Sequence, residues 1–263
     1  MSIISFRHSM RLLMTRSTVL SWKFTKNSMF QRRHASERQE MTRSSIQLKV
    51  LEAQHRVDAV ELLTDVFPRK EPTLNFLQAP YESVKHFNEI AVNRAIRDGI
   101  ATVAFDNEAN KLAGVFACFL ISQEHEGSEY FADVKLLAPV KPVVDLFAVL
   151  RARFYQLEEV KAEQSRGSKF VEMYLIGVQD GYHGQGMARR LIEYSLKLGK
   201  AKGAKMAYAE VTSPITQHIA ASDSRFIRVG DMIEYATFEV NGEKPYACMP
   251  SEWRGAVLSV TNL

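Results

Sequence analysis

The spacing of apolar residues in the first part of the chain predicts one strand followed by two helices. Alternation over residues 46–53 indicates a strand, and residues 54–67 have the 3.6-residue period of a helix that Pro68 is expected to end. Residues 81–98 repeat the helical period, and Gly99 follows as a terminator. The first part of the chain is therefore expected to run from one strand into two helices.

The rest of the chain alternates between apolar runs and amphipathic segments. Residues 100–106 and 110–122 predict a strand pair joined by a turn, and the stripe in 143–159 predicts a helix. The polar residues 161–169 separate this helix from the next strand. The further elements are a strand at 173–178, a long helix after the glycines at 181–186, a strand at 204–211, a short helix within 212–222, and a closing strand pair at 231–240 and 244–249.

This order mixes a hairpin with a parallel β-α-β crossover. It predicts a single α/β domain built on a central twisted, mixed sheet flanked by helices. Composition does not change within residues 41–263, so we expect one domain there. No apolar run approaches the roughly 20 residues that cross a bilayer, so no transmembrane segment is expected.

Charge sets residues 1–40 apart from the remainder. They hold eight Lys or Arg and two acids, out of 34 and 30 in the whole chain, so residues 41–263 are close to neutral. A near-neutral body argues against a nucleic-acid partner. The leader, rich in Ser and spaced Arg, has the composition of a mitochondrial transit peptide. A disordered extension, or sequence upstream of a true start at Met41, explains it as well.

The two cysteines, Cys118 and Cys248, make neither a disulfide framework nor a zinc site, so no metal is expected. A reducing compartment is the simpler inference. We expect a cytoplasmic protein, with mitochondrial import as the alternative that the leader allows.

A glycine-rich turn between the strand at 173–178 and the next helix is the strongest chemical signal. Strand, glycine turn and helix together form an anion site because amides and the helix dipole point at the ligand. A Walker loop would need Lys and Ser/Thr where Met187 and Ala188 stand. A dinucleotide turn would need a small residue where Arg189 stands. The Walker loop is therefore excluded, and the dinucleotide-binding turn is disfavoured.

The third design, (Arg/Gln)-x-x-Gly-x-(Gly/Ala), fits the segment HGQGMA from its second glycine onward. Here the chain resembles the GNAT superfamily of acetyl-CoA-dependent N-acetyltransferases. The resemblance implies a single GNAT-like domain, with acetyl-CoA as co-substrate and pantetheine between the strands at 173–178 and 206–211. Gly177 would suit a bulge beside that arm. The residues implied in binding coenzyme A are Val178, His183, Gly184, Gln185, Gly186, Met187 and Ala188.

A second resemblance concerns the acceptor. The segment VFPRKEPTLNFL is similar to one in insect-type arylalkylamine N-acetyltransferases, whose Glu before Pro is the proposed general base; here that residue is Glu71. It implies a small-molecule amine substrate, an oxyanion-stabilising amide at Val178, and hydroxyls at Ser213 and Thr216 that relay protons or hold cofactor. The family's late-helix Tyr has no counterpart, because Ala220 falls near its position.

Other interpretations of these residues remain open at this point. Glu71 can be a solvated loop acid, and Ser213 can simply cap a helix. Glu172 and Glu210 can supply a base or lie on a polar outer face. A polyamine or protein N-acetyltransferase, or a non-catalytic acyl-CoA sensor, would also fit the motif. The sequence does not indicate an oligomeric state.

Overall fold

The computed structural model describes residues 45–122 and 135–263 of the 263-residue chain. The chain divides into two units, Met1–Ile46 and Gln47–Leu263, and only Ser45 and Ile46 of the first unit are described. The expected boundary between residues 40 and 41 and the leader itself lie outside the described residues.

The described residues form a seven-stranded mixed sheet with strand order β1-β2-β3-β4-β5-β7-β6. The β4–β5 pair is parallel, whereas the pairs β2–β3, β3–β4, β5–β7 and β6–β7 are antiparallel. The predicted mixed sheet is confirmed. Its strands are β1 (Ile46–Val50), β2 (Thr102–Asp106), β3 (Lys111–Ile121), β4 (Lys169–Val178), β5 (Ala204–Val211), β6 (Ile227–Glu234) and β7 (Gly255–Asn262).

Seven α-helices lie among the described residues, with three short 3₁₀ turns at Ala53–His55, Lys135–Val140 and Tyr235–Thr237. The α-helices are α1 (Arg56–Lys70), α2 (Pro72–Leu77), α3 (Tyr81–Asp98), α4 (Lys141–Tyr155), α5 (Glu158–Ser165), α6 (Met187–Ala201) and α7 (Pro214–Ala221).

Helices cover both faces of the sheet. A Cβ on Gly177 would meet Leu62 and Leu63 of α1, whereas one on Gly114 would meet Leu191 of α6, and these glycines belong to opposite faces of adjacent strands. The Tyr174 ring contacts α3 and α4 on the α1 face. The site between β4 and β5 therefore has α1, α3 and α4 on one side and α6 on the other.

Two helix boundaries differ from the predicted ones. Helix α1 continues through Pro68 to Lys70, because a proline so near the end costs a single backbone hydrogen bond and only two residues follow it. The predicted helix 143–159 is interrupted at Leu157, which has extended backbone angles, and the polar residues 161–165 lie in α5.

The closing strand was predicted wrongly. Residues 244–249 form turns, and the last strand is β7, which lies between β5 and β6. The apolar run of β7 is buried from Gly255 to Thr261. The misassigned segment instead packs Tyr246 into the protein.

Candidate functional site

Strands β4 and β5 separate halfway along β4. Their parallel pairing runs from Lys169 opposite Ala204 to Met173 opposite Ala209, and β4 then continues to Val178 against β3 alone. A bulge accompanies the separation, since the β3–β4 register shifts across Tyr174. The expected bulge at Gly177 is wrong. Gly177 is regularly paired with Val115 and is small because α1 packs against it.

The backbone of β4 beyond the bulge presents amides to the gap. Gln179 N–H donates to the Ala113 carbonyl at 2.9 Å, which fixes the alternation of the β3–β4 ladder. By that alternation the N–H groups of Ile176 and Val178 point away from β3, toward the gap. The sequence predicted a role for the Val178 amide. It did not predict one for the Ile176 amide, which has the same orientation and lies nearer the bulge.

The glycine turn leads from β4 into α6 through three left-handed residues. Gly181, Gly184 and Gly186 have φ of 93°, 74° and 71°, values that strain any residue with a Cβ. Gly186 is the N-cap of α6, and no described side chain caps the helix there. The first-turn amides therefore face outward with the positive end of the helix dipole, as an anion requires.

The residues after the turn anchor it. Met187 is buried, with its Cγ 3.5 Å from where a Cβ on Gly114 would lie, so α6 begins in close contact with β3. Ala188 follows in the first turn of the helix. Gln185 has a buried Oε1 without a hydrogen-bond partner among the described residues. Arg189 reaches across to the Ser222 hydroxyl at 2.8 Å, beyond the end of α7.

His183 has a structural explanation that its sequence position did not suggest. Its Nε2 lies 2.9 Å from the Val178 carbonyl, and its Nδ1 lies 3.8 Å from an oxygen of Asp180. The Asp180 carboxylate also pairs with Arg69 at 2.9 Å, and Arg69 lowers the pKa of Asp180. The imidazole thus closes the turn onto the last residue of β4.

Glu71 is buried with 3% exposure, so its interpretation as a solvated loop acid is wrong. It is the N-cap of α2: its Oε2 accepts hydrogen bonds from the Thr73 hydroxyl at 2.6 Å and the Leu74 amide at 2.7 Å. Its Oε1 is buried and has no hydrogen-bond partner among the described residues. Burial raises the pKa of Glu71, although the hydrogen bonds from Thr73 and Leu74 oppose the shift.

Two tyrosines that sequence reasoning did not single out lie close to Glu71. Tyr235 donates from its hydroxyl to the Thr212 carbonyl at 2.6 Å, and the hydroxyl of Tyr246 is buried without a partner among the described residues. Burial and the nearby Glu71 charge raise the pKa of both hydroxyls. The Tyr246 ring also contacts Phe76 of α2 and Phe238. Only the apolar spacing of this segment hinted at its burial.

Ser213 and Thr216 are brought together at the start of α7. Ser213 Oγ accepts from the Thr216 amide at 3.1 Å and lies 2.8 Å from the Thr216 hydroxyl. The expected helix-capping role of Ser213 is confirmed. Gln217 ties the same turn to the sheet by donating to the carbonyls of Val211 and Gly255.

Glu172 and Glu210 are buried, with 1% and 8% exposure, so their interpretation as a polar outer face is wrong. Helix α4 covers them, and its Arg151 lies 3.5 Å from Glu172 Oε1. Burial and the neighbouring Glu172 carboxylate raise the pKa of Glu210 to about 8. Among the described residues, no group of His, Cys, Asp and Glu side chains is arranged to hold a metal ion. In the same part of the chain, no helix is long and apolar enough to span a membrane.

The sheet order, the β4–β5 separation and the glycine turn define the GNAT fold of N-acetyltransferases, and solved structures confirm it. The mosquito arylalkylamine N-acetyltransferase like 5b superposes with a TM-score of 0.69, 18% identity and coverage of 83% of this chain and 100% of that chain. Arylalkylamine N-acetyltransferase 2 from Aedes aegypti superposes with a TM-score of 0.67 and 19% identity, over 82% of this chain and 98% of that chain. The Drosophila melanogaster polyamine N-acetyltransferase superposes with a TM-score of 0.63 and 14% identity, over 83% of this chain and 100% of that chain.

At these identities the similarity establishes the fold. The sequence itself matches no family model and no curated protein.

Proposed function

We propose that the protein is an acetyl-CoA-dependent N-acetyltransferase that acetylates a small primary amine, with arylalkylamines as the first substrate class. The observation that carries the proposal is the pairing of two half-sites. The β4–β5 gap with its glycine turn can accept coenzyme A, and the buried Glu71 lies on the α1 side of the sheet. The similar mosquito structures are arylalkylamine N-acetyltransferases.

The anion end of the site fits the pyrophosphate of coenzyme A. Gly184 and Gly186 leave open space where a Cβ would lie, so a phosphate can approach the backbone. The first-turn amides of α6, those of Met187 and Ala188 included, supply donors and the positive end of the dipole. Gln185, with its unpartnered Oε1, can accept from the cofactor.

The gap between the strands fits the pantetheine arm. Its amide groups would add to the free side of β4 as an extra strand does. Acetyl-CoA supplies the reactive thioester. The amides of Ile176 and Val178 point into the gap and can donate to an acyl oxygen that gains negative charge during transfer.

Glu71 is suited to remove the proton from the amine. An alkylamine with a pKa of about 10 arrives protonated and has to become neutral before it attacks. The raised pKa of Glu71 makes it a stronger base than an exposed carboxylate, and its Oε1 is the atom left to accept a proton. The Thr73 and Leu74 hydrogen bonds hold Oε2 and thereby orient Oε1.

A polyamine N-acetyltransferase is the second candidate. It is favoured by the similarity in fold to the Drosophila polyamine N-acetyltransferase.

The test is turnover by the purified chain with acetyl-CoA against an amine panel, followed as free thiol. Tryptamine, dopamine and tyramine represent arylalkylamines, and putrescine, spermidine and agmatine represent polyamines. We expect the arylalkylamines to give the highest kcat/KM. If acetyl-CoA binds and no amine in either group is acetylated, the proposal is wrong. If only the second group reacts, the polyamine candidate replaces it.

A further inference from the structure

Two carboxyl groups lie at the point where β4 and β5 separate. Met173 and Ala209 are the last paired residues, so Glu172 immediately precedes the separation on β4 and Glu210 follows it on β5. Glu172 is paired with Tyr208, two residues before Glu210, and side chains two apart share a face. Both carboxyls therefore lie on the face covered by α4, at the inner end of the gap.

Their surroundings provide less positive charge than two carboxylates need. Both oxygens of Glu172 and Oε1 of Glu210 are buried without hydrogen-bond partners among the described residues. Arg151 from α4 is the cation beside Glu172, at 3.5 Å. The tyrosines around this cluster are Tyr174 of β4, Tyr208 of β5 and Tyr155 of α4, and the other nearby cation, Arg94 of α3, is paired with Asp98 at 3.9 Å.

Two buried carboxylates beside one guanidinium retain a proton, because ionising both would leave an uncompensated buried charge. Since Arg151 is paired with Glu172, the proton belongs on Glu210. The raised pKa of Glu210 is in agreement. The cluster thus holds a carboxylic acid at neutral pH, at the end of the gap where the acyl group would arrive.

We propose that Glu210 is the general acid that protonates the sulfur of departing coenzyme A, and that the Glu172 carboxylate, held by Arg151, keeps Glu210 in the acid form. This inference rests on the proposed function. It assigns a role that α7 does not fill, since residues 214–221 contain no tyrosine.

The step is balanced. Glu71 first takes a proton from the ammonium group and passes it to water. The neutral amine then forms the C–N bond and gives a second proton to Glu71, and the C–S bond breaks as Glu210 gives its proton to sulfur. The products are the amide and the free thiol. After they leave, Glu71 loses its proton to water and Glu210 takes one up, which restores both groups.

The experiment measures the pH dependence of kcat with saturating acetyl-CoA and the best amine of the panel, for the wild type, Glu210→Gln and Glu172→Gln. In the wild type kcat should fall with an alkaline limb, because Glu210 has to be protonated. Glu210→Gln should lower kcat by about 10²-fold and abolish that limb, while the acid limb from Glu71 remains. Binding of acetyl-CoA, measured by calorimetry, should stay unchanged.

Glu172→Gln supplies a signature that a purely structural role would not produce. Removal of the neighbouring negative charge favours ionisation of Glu210, so the alkaline limb should move to lower pH. A wild-type pH profile in Glu210→Gln overturns the inference. Should that variant not fold, an unmoved limb in Glu172→Gln overturns it equally.

Failure of the proposed function looks different. In that case the wild type releases no thiol with any amine, and the assignment of Glu210 falls with it. If the wild type acetylates amines and Glu210→Gln keeps the wild-type pH profile, or the alkaline limb of Glu172→Gln does not move, the proposed function stands and only the role of Glu210 is wrong.

Discussion

The imidazole of His183 lies 2.9 Å, through Nε2, from the carbonyl of Val178, and so links the middle of the glycine turn to the last residue of β4. Val178 carries one of the two amides that point into the gap. The contact therefore couples the glycine turn, where we propose that pyrophosphate binds, to the part of β4 that we propose binds the acyl group.

Loss of this contact should weaken cofactor binding. We expect His183→Ala to raise the Kd for coenzyme A by about fivefold, the equivalent of the ~1 kcal/mol that one net hydrogen bond contributes. Isothermal calorimetry measures it. His218 provides the control, since it is an exposed histidine on α7, and His218→Ala should leave the Kd unchanged. Equal Kd values for His183→Ala and the wild type would contradict the coupling.

A Cβ at the N-cap of α6 should damage the anion site. Gly186→Ala places a side chain at φ 71°, at a cost of about 1–2 kcal/mol, and puts a methyl group where phosphate has to approach. We expect the Kd for coenzyme A to rise at least tenfold by calorimetry.

The matched control for this substitution is Gly203→Ala. Gly203 has φ 91° and is equally unobstructed, but it lies in the turn between α6 and β5. Gly203→Ala should lower the free energy of unfolding in urea by about as much as Gly186→Ala and leave the Kd for coenzyme A unchanged. If both variants lose affinity alike, backbone strain rather than the anion site explains the loss.

Removal of the base should slow transfer without affecting cofactor binding. Glu71→Gln keeps the shape of the α2 cap and should lower kcat/KM for the amine by about 10²–10⁴-fold. In the wild type kcat/KM should rise with pH as Glu71 loses its proton, and this limb should lie above the ordinary carboxylate range because burial raises the pKa. Activity of Glu71→Gln equal to the wild type would leave Glu71 as a helix cap alone.

The raised pKa of Glu71 also has a consequence for folding. Because the folded-state pKa lies above the unfolded value, the contribution of Glu71 to stability is fully present below the unfolded pKa and declines as pH rises through the folded pKa. At neutral pH, Glu71→Gln should therefore unfold at a urea concentration equal to or higher than the wild type.

The two tyrosines near Glu71 should respond differently to loss of the hydroxyl. Tyr235→Phe removes the 2.6 Å bond to the Thr212 carbonyl and should destabilise the protein by about 1–2 kcal/mol. Tyr246→Phe removes a buried hydroxyl that has no partner among the described residues and should be neutral or stabilising. Urea unfolding of the two variants compares them directly, and the reverse order would refute the assignment.

The β4-α6-β5 unit was predictable because its signals are local. The apolar run, the left-handed glycines and the amphipathic helix follow one another along the chain. Helix α2 was missed because its start depends on the Glu71 cap, and β7 was missed because its pairing partners are distant in sequence.

The candidate site was predictable in its motif residues and not in their environment. The bulge lies at Tyr174 rather than Gly177 because the register of β3 against β4 places it, and one strand's sequence does not record that register. Glu172 and Glu210 have the alternation of a solvent face, and their burial follows from α4, which crosses them with Arg151. The glycine turn could be recognised from the order of residues along the chain, whereas the Glu172–Glu210 pair could be recognised only in the folded structure.

Gly177 joins the two halves of the site mechanically. Leu62 and Leu63 approach to 3.1 Å of where its Cβ would be, so α1 rests directly on the segment of β4 that carries the amides of Ile176 and Val178. The same helix ends one residue before Glu71. A displacement of α1 should therefore move Glu71 and press on the Ile176–Val178 segment of β4 together, so the packing of α1 on Gly177 sets the distance between the proposed base and the proposed acyl site.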